Sequence, residues 1–310
     1  MTLKIAVPDL VSNSYFPAIA AVELGCFAEQ GMEASVELIF PVDRAYAAMR
    51  DGEIDFVAGS AHSALAAFPE WKGAKLLCAQ AQGMYWFLVM HADLNPERGD
   101  LSVVKGRRIG AAPWVEMGLR SLLVAGGIDI AAHDVTIAPV PGATGNTVNF
   151  GLTAAKALED GLIDGFWANG MAAELAVRRG VGMVVLDARR GDGPAGAFDY
   201  TFASLAASDR LIAKYPEAAA GAVRAIVAAQ NALRGNPELA TMVGERRFPP
   251  YEAGMIVELV RRDLPYYAAA IDPSSIARMN AFCRSHGLLH GKPTFEDVVA
   301  AQYSPFWKRN

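Results

Sequence analysis

One short segment occurs twice in this chain, as Asp51-Gly52-Glu53-Ile54-Asp55 and again, 109 residues later, as Asp160-Gly161-Leu162-Ile163-Asp164. Each copy follows an alanine-rich stretch of helical composition and precedes a short apolar stretch that ends in small or polar residues. Because an Asp-Gly turn between a helix and a strand is a strong local signal, the repeat predicts one α/β unit used in two lobes. Ligands of open α/β sheets bind beyond the carboxyl ends of the strands. Residues 60–62 and 169–171 are therefore predicted to face one another across a cleft.

The repeat extends past these turns, because residues 4–9 parallel residues 108–113 at an offset of 104. Predicted strands and helices alternate along both halves, which is typical of mostly parallel sheets flanked by helices. The sequence therefore predicts an α/β fold. From residue 202 onward the chain has alanine-rich helical stretches without strands, and these are predicted to pack back on the first lobe.

One of the two predicted lobes is built from two separate segments of the chain. The first lobe comprises residues 1–91 and 197–310, and residues 92–196 form a second lobe inserted into it. The chain is predicted to cross between the lobes at residues 92–99, which include Asn95-Pro96. Two domains are expected for 310 residues, because a single core usually stops growing near ~250 residues.

The composition argues against several classes of protein. No apolar run reaches the ~18 residues expected of a membrane-spanning helix, and a net charge of −5 gives no basic surface for nucleic acid. Cys26, Cys78 and Cys283 lack metal-ligand spacing and are predicted to be buried thiols, and the five histidines are too scattered to predict a metal site. The amino terminus has no apolar leader. The chain is therefore expected to be periplasmic if a leader was removed, and cytoplasmic if Met1 is the native start.

Four segments, in order along nearly the whole chain, resemble a known family. They are Gly25-Cys26-Phe27-x-x-x-Gly31 after a helix, the two Asp-Gly-x-Ile-Asp turns, Leu101-x-x-x-Lys105-Gly106-Arg107-Arg108-Ile109-Gly110, and Tyr215-Pro216-Glu217 before a long helix. In these segments the chain is similar to the type II periplasmic solute-binding proteins for sulfonate, taurine, nitrate and pyrimidine precursors. The resemblance implies a two-lobed fold with a hinge that closes on a small molecule, and an ABC permease as partner.

Enzymes also occur in this family. The thiamine pyrimidine synthases resemble the chain near His62, but Gly59 stands about where their pyridoxal-phosphate lysine is expected, and no cysteine-rich stretch follows. A biphenyl-sulfinate desulfinase is also similar, but Ser12-Asn13-Ser14 stands where its nucleophilic cysteine is expected. Neither activity is predicted, and no cofactor is expected.

Polar residues follow the strands of the first predicted lobe. Asp9, Ser12 and Asn13 lie in a loop that opens a helix, where such side chains either cap free amides or leave the helix terminus to bind an anionic group. Ser60 and His62 follow a later strand. His62 is predicted to be partly exposed, to titrate near neutral pH and to donate a hydrogen bond to a ligand oxygen.

The second predicted lobe has Trp114 and Glu116 at a turn where an anion-binding relative would favour serine or threonine. Glu116 either complements the dipole of the following helix or accepts hydrogen bonds from an amino or ring N–H group of a ligand. Because a carboxylate repels an anion, the second interpretation favours a heteroaromatic or amine-bearing solute over a tetrahedral anion. Aromatic side chains near strand ends would let a flat ligand stack. The remaining residues predicted to line the cleft are Tyr15, Trp86, Thr144, Asn146, Trp167, Asn169 and Tyr200.

The sequence thus predicts a solute-binding protein that closes over a small planar organic molecule, as the binding component of an ABC importer. The alternative is a cytoplasmic enzyme on the same fold, a lyase, decarboxylase or hydrolase of a small aromatic acid. His62 would be its general acid or base and Glu116 its partner. The reaction would be a cofactor-independent cleavage of a C–C, C–S or C–N bond.

Overall fold

The computed structural model describes residues 2–308 and contains two five-stranded sheets flanked by helices. The strands are β1 (Thr2–Val7), β2 (Glu33–Leu38), β3 (Phe56–Ser60), β4 (Ala74–Ala81), β5 (Phe87–His91), β6 (Arg108–Ala111), β7 (Thr136–Ala138), β8 (Gly165–Ala168), β9 (Gly182–Asp187) and β10 (Ala203–Ser208). The α-helices are α1 (Phe16–Glu23), α2 (Val42–Asp51), α3 (Glu116–Ala125), α4 (Phe150–Glu159), α5 (Gly170–Arg178), α6 (Asp209–Lys214), α7 (Pro216–Gly235), α8 (Leu239–Arg247), α9 (Pro250–Ala253), α10 (Ile256–Asp263), α11 (Pro273–Ser285) and α12 (Phe295–Val298).

The two sheets have the same topology. The first has the order β2-β1-β3-β10-β4 and the second has the order β7-β6-β8-β5-β9. In each sheet the first three strands are parallel, and the fourth, β10 or β5, runs antiparallel to both of its neighbours. The predicted α/β class and the two-lobed arrangement of mostly parallel sheets are therefore confirmed.

The duplicated turn has one role in both sheets. Gly52 ends α2 in the left-handed conformation, with φ of +84°, and Gly161 follows α4 with φ of +69°, a region that glycine enters without steric cost. The side chain of the final aspartate of each repeat then accepts a hydrogen bond from the backbone of the neighbouring parallel strand. Oδ2 of Asp55 accepts a hydrogen bond of 2.9 Å from the amide of Lys4, and Oδ2 of Asp164 accepts one of 2.7 Å from the amide of Arg108. The motif thus sets the register between neighbouring parallel strands.

The predicted crossing between the lobes is wrong. Residues 87–91 are predicted to belong to the first lobe, but they form a strand, Phe87–His91, that pairs antiparallel with β8 and β9 in the second sheet. The chain therefore crosses at residues 82–86, before β5, and not at residues 92–99. It returns through residues 188–202, between β9 and β10. A short apolar run does not indicate which sheet it joins, so the sequence pattern placed the strand on the wrong side of the crossing.

The carboxy-terminal helices contact both lobes, since α12 packs on β4 and α10 packs on α5. The long helix α7 packs on α1 and on β4. A 3-10 helix, Ala61–Ala66, follows β3, and Gly254 and Met255 separate α9 from α10.

The three cysteines, Cys26, Cys78 and Cys283, are free and buried, as predicted. Burial raises the pKa of the Cys26 thiol to about 11, so it is not an activated nucleophile. Within residues 2–308, no cluster of three or more histidine, cysteine or acidic side chains is arranged to hold a metal ion. Over the same residues, every helix is too short or too polar to cross a membrane.

Candidate functional site

A cavity lies between the lobes, at the carboxyl ends of β1, β6 and β8. The cavity is narrow, with a volume of about 30 Å³, which is room for about two water molecules, so a larger ligand requires the lobes to move apart. The parallel strands of both lobes point their carboxyl ends at this cavity, as the duplicated unit predicts. The lining residues are Pro8, Asp9, Tyr15, Phe40, Val42, Trp86, Ala112, Pro113, Val115, Phe150, Ala168 and Asn169.

Aromatic rings form much of the cavity wall. Phe40, which follows β2 in the first lobe, stacks on Phe150, the first residue of α4 in the second lobe, with a centroid distance of 5.6 Å and an interplanar angle of 14°. Tyr15 and Trp86 are almost completely buried and complete this wall. The hydroxyl of Tyr15 lies 2.9 Å from that of Tyr85, which fixes the orientation of its ring. The stacked pair of Phe40 and Phe150 therefore joins the two lobes at the cavity wall.

Asp9 is the one acidic side chain among the described residues that line the cavity. Its Oδ2 accepts hydrogen bonds of 2.8 Å from the amide of Gly151 and from Nδ2 of Asn169, both in the second lobe. Its Oδ1 is buried and has no partner among residues 2–308. Burial raises the pKa of Asp9 to about 7, although the Gly151 amide, the nearby Val11 amide and the Asn169 side chain oppose the shift. Asp9 therefore changes charge near neutral pH and has one oxygen left for a ligand.

Asn169 orients Asp9 and caps a helix at the same time. Its Oδ1 accepts hydrogen bonds from the amides of Met171 and Ala172, at 2.9 and 3.1 Å, which caps the first turn of α5. Its Nδ2 donates to Asp9. Asparagine suits this position because it carries an acceptor for the helix amides and a donor for the carboxylate on one rigid group.

Three helix amino termini at the cleft are occupied by oxygens of the protein itself. Asp9 accepts from Gly151 in the first turn of α4, and Asn169 caps α5. Oε1 of Gln80 accepts from the amide of Ala18 in α1. Free helix amides are what a nitrate or sulfonate group would need. At the fourth terminus, that of α3, the carboxylate of Glu116 makes no hydrogen bond to the helix but would repel an anion.

The predicted exposure of His62 is wrong, because its side chain is 1% exposed. Its Nε2 lies 2.9 Å from the carbonyl oxygen of Trp114 in the second lobe, and its Nδ1 lies 2.9 Å from Oγ1 of Thr201. Since a carbonyl only accepts, Nε2 carries the proton and Nδ1 accepts from Thr201. Burial lowers the pKa of His62 to about 4, so the ring is neutral at physiological pH. The residue links the lobes, and its role as a ligand contact stays a prediction.

Glu116 lies beside the cavity without lining it. It is half-buried at the start of α3, next to the lining residue Val115, and its Oε2 has no partner within the described chain. Burial raises its pKa, and the nearby Asp43 contributes in the same direction, while Arg120 opposes the shift. The pairing of His62 with Glu116 that the enzyme alternative requires does not occur, because both nitrogens of His62 are bonded to other groups.

Other predicted site residues in the first lobe are used within the protein. Oγ of Ser12 accepts from the amide of Ser14, at 3.1 Å. Nδ2 of Asn13 donates to Asp263 at 2.5 Å, and the hydroxyl of Ser60 is 2.6 Å from that of Ser63. These contacts hold the loops after β1 and β3 in place, and none of the three predicted residues lines the cavity.

The remaining predicted residues lie around the cavity. Trp167 is fully buried behind Trp86, with 6.2 Å between the ring centroids. Thr144 and Asn146 are exposed, and the carbonyl of Asn146 accepts a hydrogen bond of 2.9 Å from the amide of Phe40 across the lobes. Tyr200 lines a separate groove. Of the predicted set, the structure therefore brings together Asp9, Tyr15, Trp86 and Asn169 at the cavity.

Sequence reasoning missed Phe40 and Phe150. Phe40 follows β2, and the rule that ligands bind beyond the carboxyl ends of strands, applied to β2, identifies it. Phe150 is the first residue of a helix after a long loop, a position without a distinctive sequence signal.

Comparison with known proteins found no matching family model and no matching curated protein. Solved structures match over nearly the whole chain. The periplasmic nitrate-binding protein NrtA from Synechocystis PCC 6803 is 15% identical, with a TM-score of 0.74 over 98% of this chain and 87% of that one. The alkanesulfonate-binding protein SsuA from Xanthomonas axonopodis pv. citri, bound to MOPS, is 13% identical, with a TM-score of 0.71 over 97% of each chain.

A desulfurization enzyme, DSZB, is also similar. Its mutant in complex with biphenyl-2-sulfinic acid is 16% identical, with a TM-score of 0.66 over 100% of this chain and 99% of that one. At such low identities these likenesses show the fold alone. The chain has the two-lobed type II periplasmic-binding-protein fold, as its sequence motifs indicated.

Proposed function

We propose that this chain, which has the type II periplasmic-binding-protein fold, is a solute-binding protein whose lobes close over a small, flat organic molecule and deliver it to an ABC importer. The observation that carries the proposal is the aromatic cavity between the lobes. Phe40 and Phe150, one from each lobe, stack on one another at its wall. A ligand that closes the lobes would be in contact with both rings at once, so closure and binding would be coupled.

The polar groups favour an organic ligand over a small inorganic anion. Nitrate and alkanesulfonate are the named ligands of the similar binding proteins. In this chain Asp9 and Asn169 occupy helix amides at the cleft, and the described lining contains no arginine or lysine. Binding energy would therefore come mainly from removing a flat ligand from water, and the few polar contacts would set its orientation.

Transport sets the partner and the location in this proposal. A binding protein of an importer passes its ligand to a membrane permease and works outside the inner membrane, which corresponds to the periplasm. The periplasmic nitrate-binding and sulfonate-binding proteins among the structural neighbours support both expectations. A pull-down from solubilised inner membranes would test them, and ligand-dependent recovery of an ABC permease is the expected result.

The ligand itself can be identified directly. Mass spectrometry of small molecules released from the freshly purified protein, followed by a thermal-shift screen of aromatic acids, pyrimidines and sulfonates, is the most direct experiment. Flat organic molecules are expected to raise the melting temperature. If nitrate, sulfate or taurine raised the melting temperature and flat organic molecules did not, the proposal would be wrong.

A matched pair of variants tests the aromatic wall. Phe40→Leu removes a ring that lines the cavity, whereas Phe68→Leu removes a similarly buried ring outside it. Aromatic contacts contribute about 0.5–1.5 kcal/mol beyond burial, so Phe40→Leu should weaken binding of a flat ligand about two- to tenfold. Phe68→Leu should lower stability and leave affinity unchanged. Equal losses of affinity would contradict a role for the stacked pair.

A second candidate function is an enzyme on the same fold, since DSZB is a desulfurization enzyme. In this chain the group placed for acid or base chemistry would be Asp9, whose pKa of about 7 and unpartnered oxygen suit proton transfer. His62 would serve as a structural link and not as the base. Long incubation with the released ligand distinguishes the two functions, because a binding protein returns the ligand unchanged and an enzyme converts it.

A further inference from the structure

We infer that the ligand of this cleft carries a cationic nitrogen group, such as an amidine or an ammonium group, which binds Oδ1 of Asp9. The inference rests on the proposed function and names the ligand class of the same site. It predicts a preference opposite in charge to that of the nitrate-binding and alkanesulfonate-binding proteins that share the fold.

The first support is the unsatisfied oxygen. Asp9 is 4% exposed, and its Oδ2 already accepts from Gly151 and Asn169. Oδ1 has no partner in the part of the chain that the structure describes. A buried carboxylate oxygen without a donor is costly, and an N–H group of a ligand would remove that cost.

The second support is the charge around the cavity. Asp43 and Glu116 adjoin the lining residues Val42 and Val115, and each has one buried oxygen without a partner among residues 2–308. The charge of Asp43 raises the pKa of Glu116, so the two carboxylates lie close together. Both make the electrostatic potential at this edge of the cavity more negative. A cation is attracted to such a potential, whereas an anion is repelled.

No basic side chain lines the cavity among residues 2–308. Two lie near it, because Arg120 opposes the effect of Asp43 on Glu116, and Arg262 lies beside Gly170, which follows the lining residue Asn169. Arg189 and Arg190 are held by Asp263, at 3.2 and 2.6 Å, and neither lines the cavity. Tyr15 is a further titratable group in the lining, and burial raises its pKa well above the usual value, so it remains neutral. Asp9 is therefore the lining group whose charge a ligand can balance.

This arrangement predicts that ligand binding changes the protonation of Asp9. A cation pairs with the ionised carboxylate, so its binding releases a proton to solvent wherever Asp9 is protonated in the free protein. Affinity for a cation should fall as the pH drops below about 7. An acid would instead bind to protonated Asp9 as a hydrogen-bond acceptor, and its affinity should rise over the same range.

Three probes of the same shape test the inference with the full-length protein. Benzamidine is cationic, benzamide is neutral and benzoate is anionic. Calorimetric titrations at about pH 8 and about pH 6, each in two buffers of different ionisation enthalpy, give affinity and proton release together. Hydrogen bonds to charged groups are strong enough to predict that benzamidine binds about tenfold more tightly than benzamide at pH 8, with benzoate weakest. Benzamidine binding at pH 6 should be weaker and should release protons.

Two variants complete the test. Asp9→Asn should lower the affinity for benzamidine about tenfold or more, change that for benzamide less than about threefold, and abolish the proton release. Asp93→Asn removes an exposed carboxylate that does not line the cavity, and should preserve the preference for benzamidine.

Different failures have different meanings. If benzoate binds the wild-type protein more tightly than benzamidine at pH 8, or if benzamidine binds without proton release at pH 6, the inference is overturned while the proposed function stands. The wild-type measurements decide this even if Asp9→Asn does not fold. If none of the three flat probes binds, the proposed function fails and the inference fails with it.

Discussion

Oδ2 of Asp9 accepts a hydrogen bond of 2.8 Å from Nδ2 of Asn169, and this bond joins the end of β1 in the first lobe to the cap of α5 in the second. A second buried bond between the lobes runs from Nε2 of His62 to the carbonyl of Trp114, at 2.9 Å. Asp9 and His62 both titrate. Burial raises the pKa of Asp9 and lowers the pKa of His62, so each shift favours the neutral form. Both are neutral in the folded protein at mildly acidic pH.

Replacing Asp9 by asparagine should change how stability depends on pH. The pKa of Asp9 rises from 3.8 to about 7 on folding, so between these values the folded state binds a proton that the unfolded state does not. Asp9 therefore makes the protein less stable as the pH rises through this window, by an amount on the order of 4 kcal/mol. Asp9→Asn removes this loss, because asparagine mimics the protonated acid. Urea unfolding should show the variant gaining stability relative to wild type from about pH 4 to pH 7.

Parallel stability curves for wild type and Asp9→Asn over that range would show that the carboxyl of Asp9 is not desolvated. Asp93→Asn serves as the control, because the carboxylate of Asp93 is exposed and does not line the cavity.

His62 has the opposite effect on stability. Its pKa falls from 6.5 to about 4 on folding, so between these values the unfolded state binds the extra proton and the folded protein loses stability as the pH falls. The loss is on the order of 3 kcal/mol. His62→Gln removes this slope, whereas His290→Gln, which removes an exposed imidazole, should not. The proton NMR signals of the His62 ring are expected to stay those of the neutral form down to about pH 5, and a midpoint near 6.5 would contradict its burial.

Asn169→Ala should have two separable effects. Loss of the cap on α5 should lower the free energy of unfolding by about 1 kcal/mol, and Ser208→Ala, which removes the cap of α6 away from the cleft, should cost a similar amount. Asn169→Ala also removes a donor to Asp9, so the pKa of Asp9 should rise further. Stability measured against pH should therefore level off at a higher pH in this variant and not in Ser208→Ala. If the two variants level off at the same pH, Asn169 acts as a cap alone.

Gly83→Ala should disturb the crossing segment between β4 and β5. Gly83 has φ of +69°, and an added Cβ would lie 2.1 Å from a ring carbon of Phe198. Gly127 is the matched control, with φ of +83° and open space around the added atom. A left-handed alanine costs about 1–2 kcal/mol, and crowding adds about 1–3 kcal/mol, so Gly83→Ala should be clearly the less stable variant in urea unfolding. Equal losses would show that Phe198 moves aside without cost.

Much of the scaffold followed from the sequence, because the duplicated turn is a local signal with a local cause. Asp55 and Asp164 each bind the amide of a neighbouring strand, so one short motif encodes the same α/β unit twice. The rule that ligands bind beyond the carboxyl ends of strands also predicts Asp9 and Asn169 at the cavity, which both residues line. These predictions needed only the chain near each residue and the geometry of parallel sheets.

The rest depended on contacts between distant parts of the chain. His62 is buried by Thr201, 139 residues later, and by the carbonyl of Trp114 in the other lobe, and neither partner is visible in the residues around it. The stacked pair of Phe40 and Phe150 likewise forms only when the lobes meet. Phe87–His91 was placed in the wrong lobe because an apolar strand fits the centre of either sheet.

The position of β10 delays completion of the first lobe in biosynthesis. β10 lies between β3 and β4, so the first sheet cannot close until the ribosome has made the chain through Ser208. The strands of the second sheet, β5 to β9, are consecutive in the chain, so that sheet can close earlier. A cut at either crossing between the lobes would separate β10 from β3 and β4 and leave both of them with unpaired edges, a form prone to aggregate. The first lobe is thus begun first and finished last.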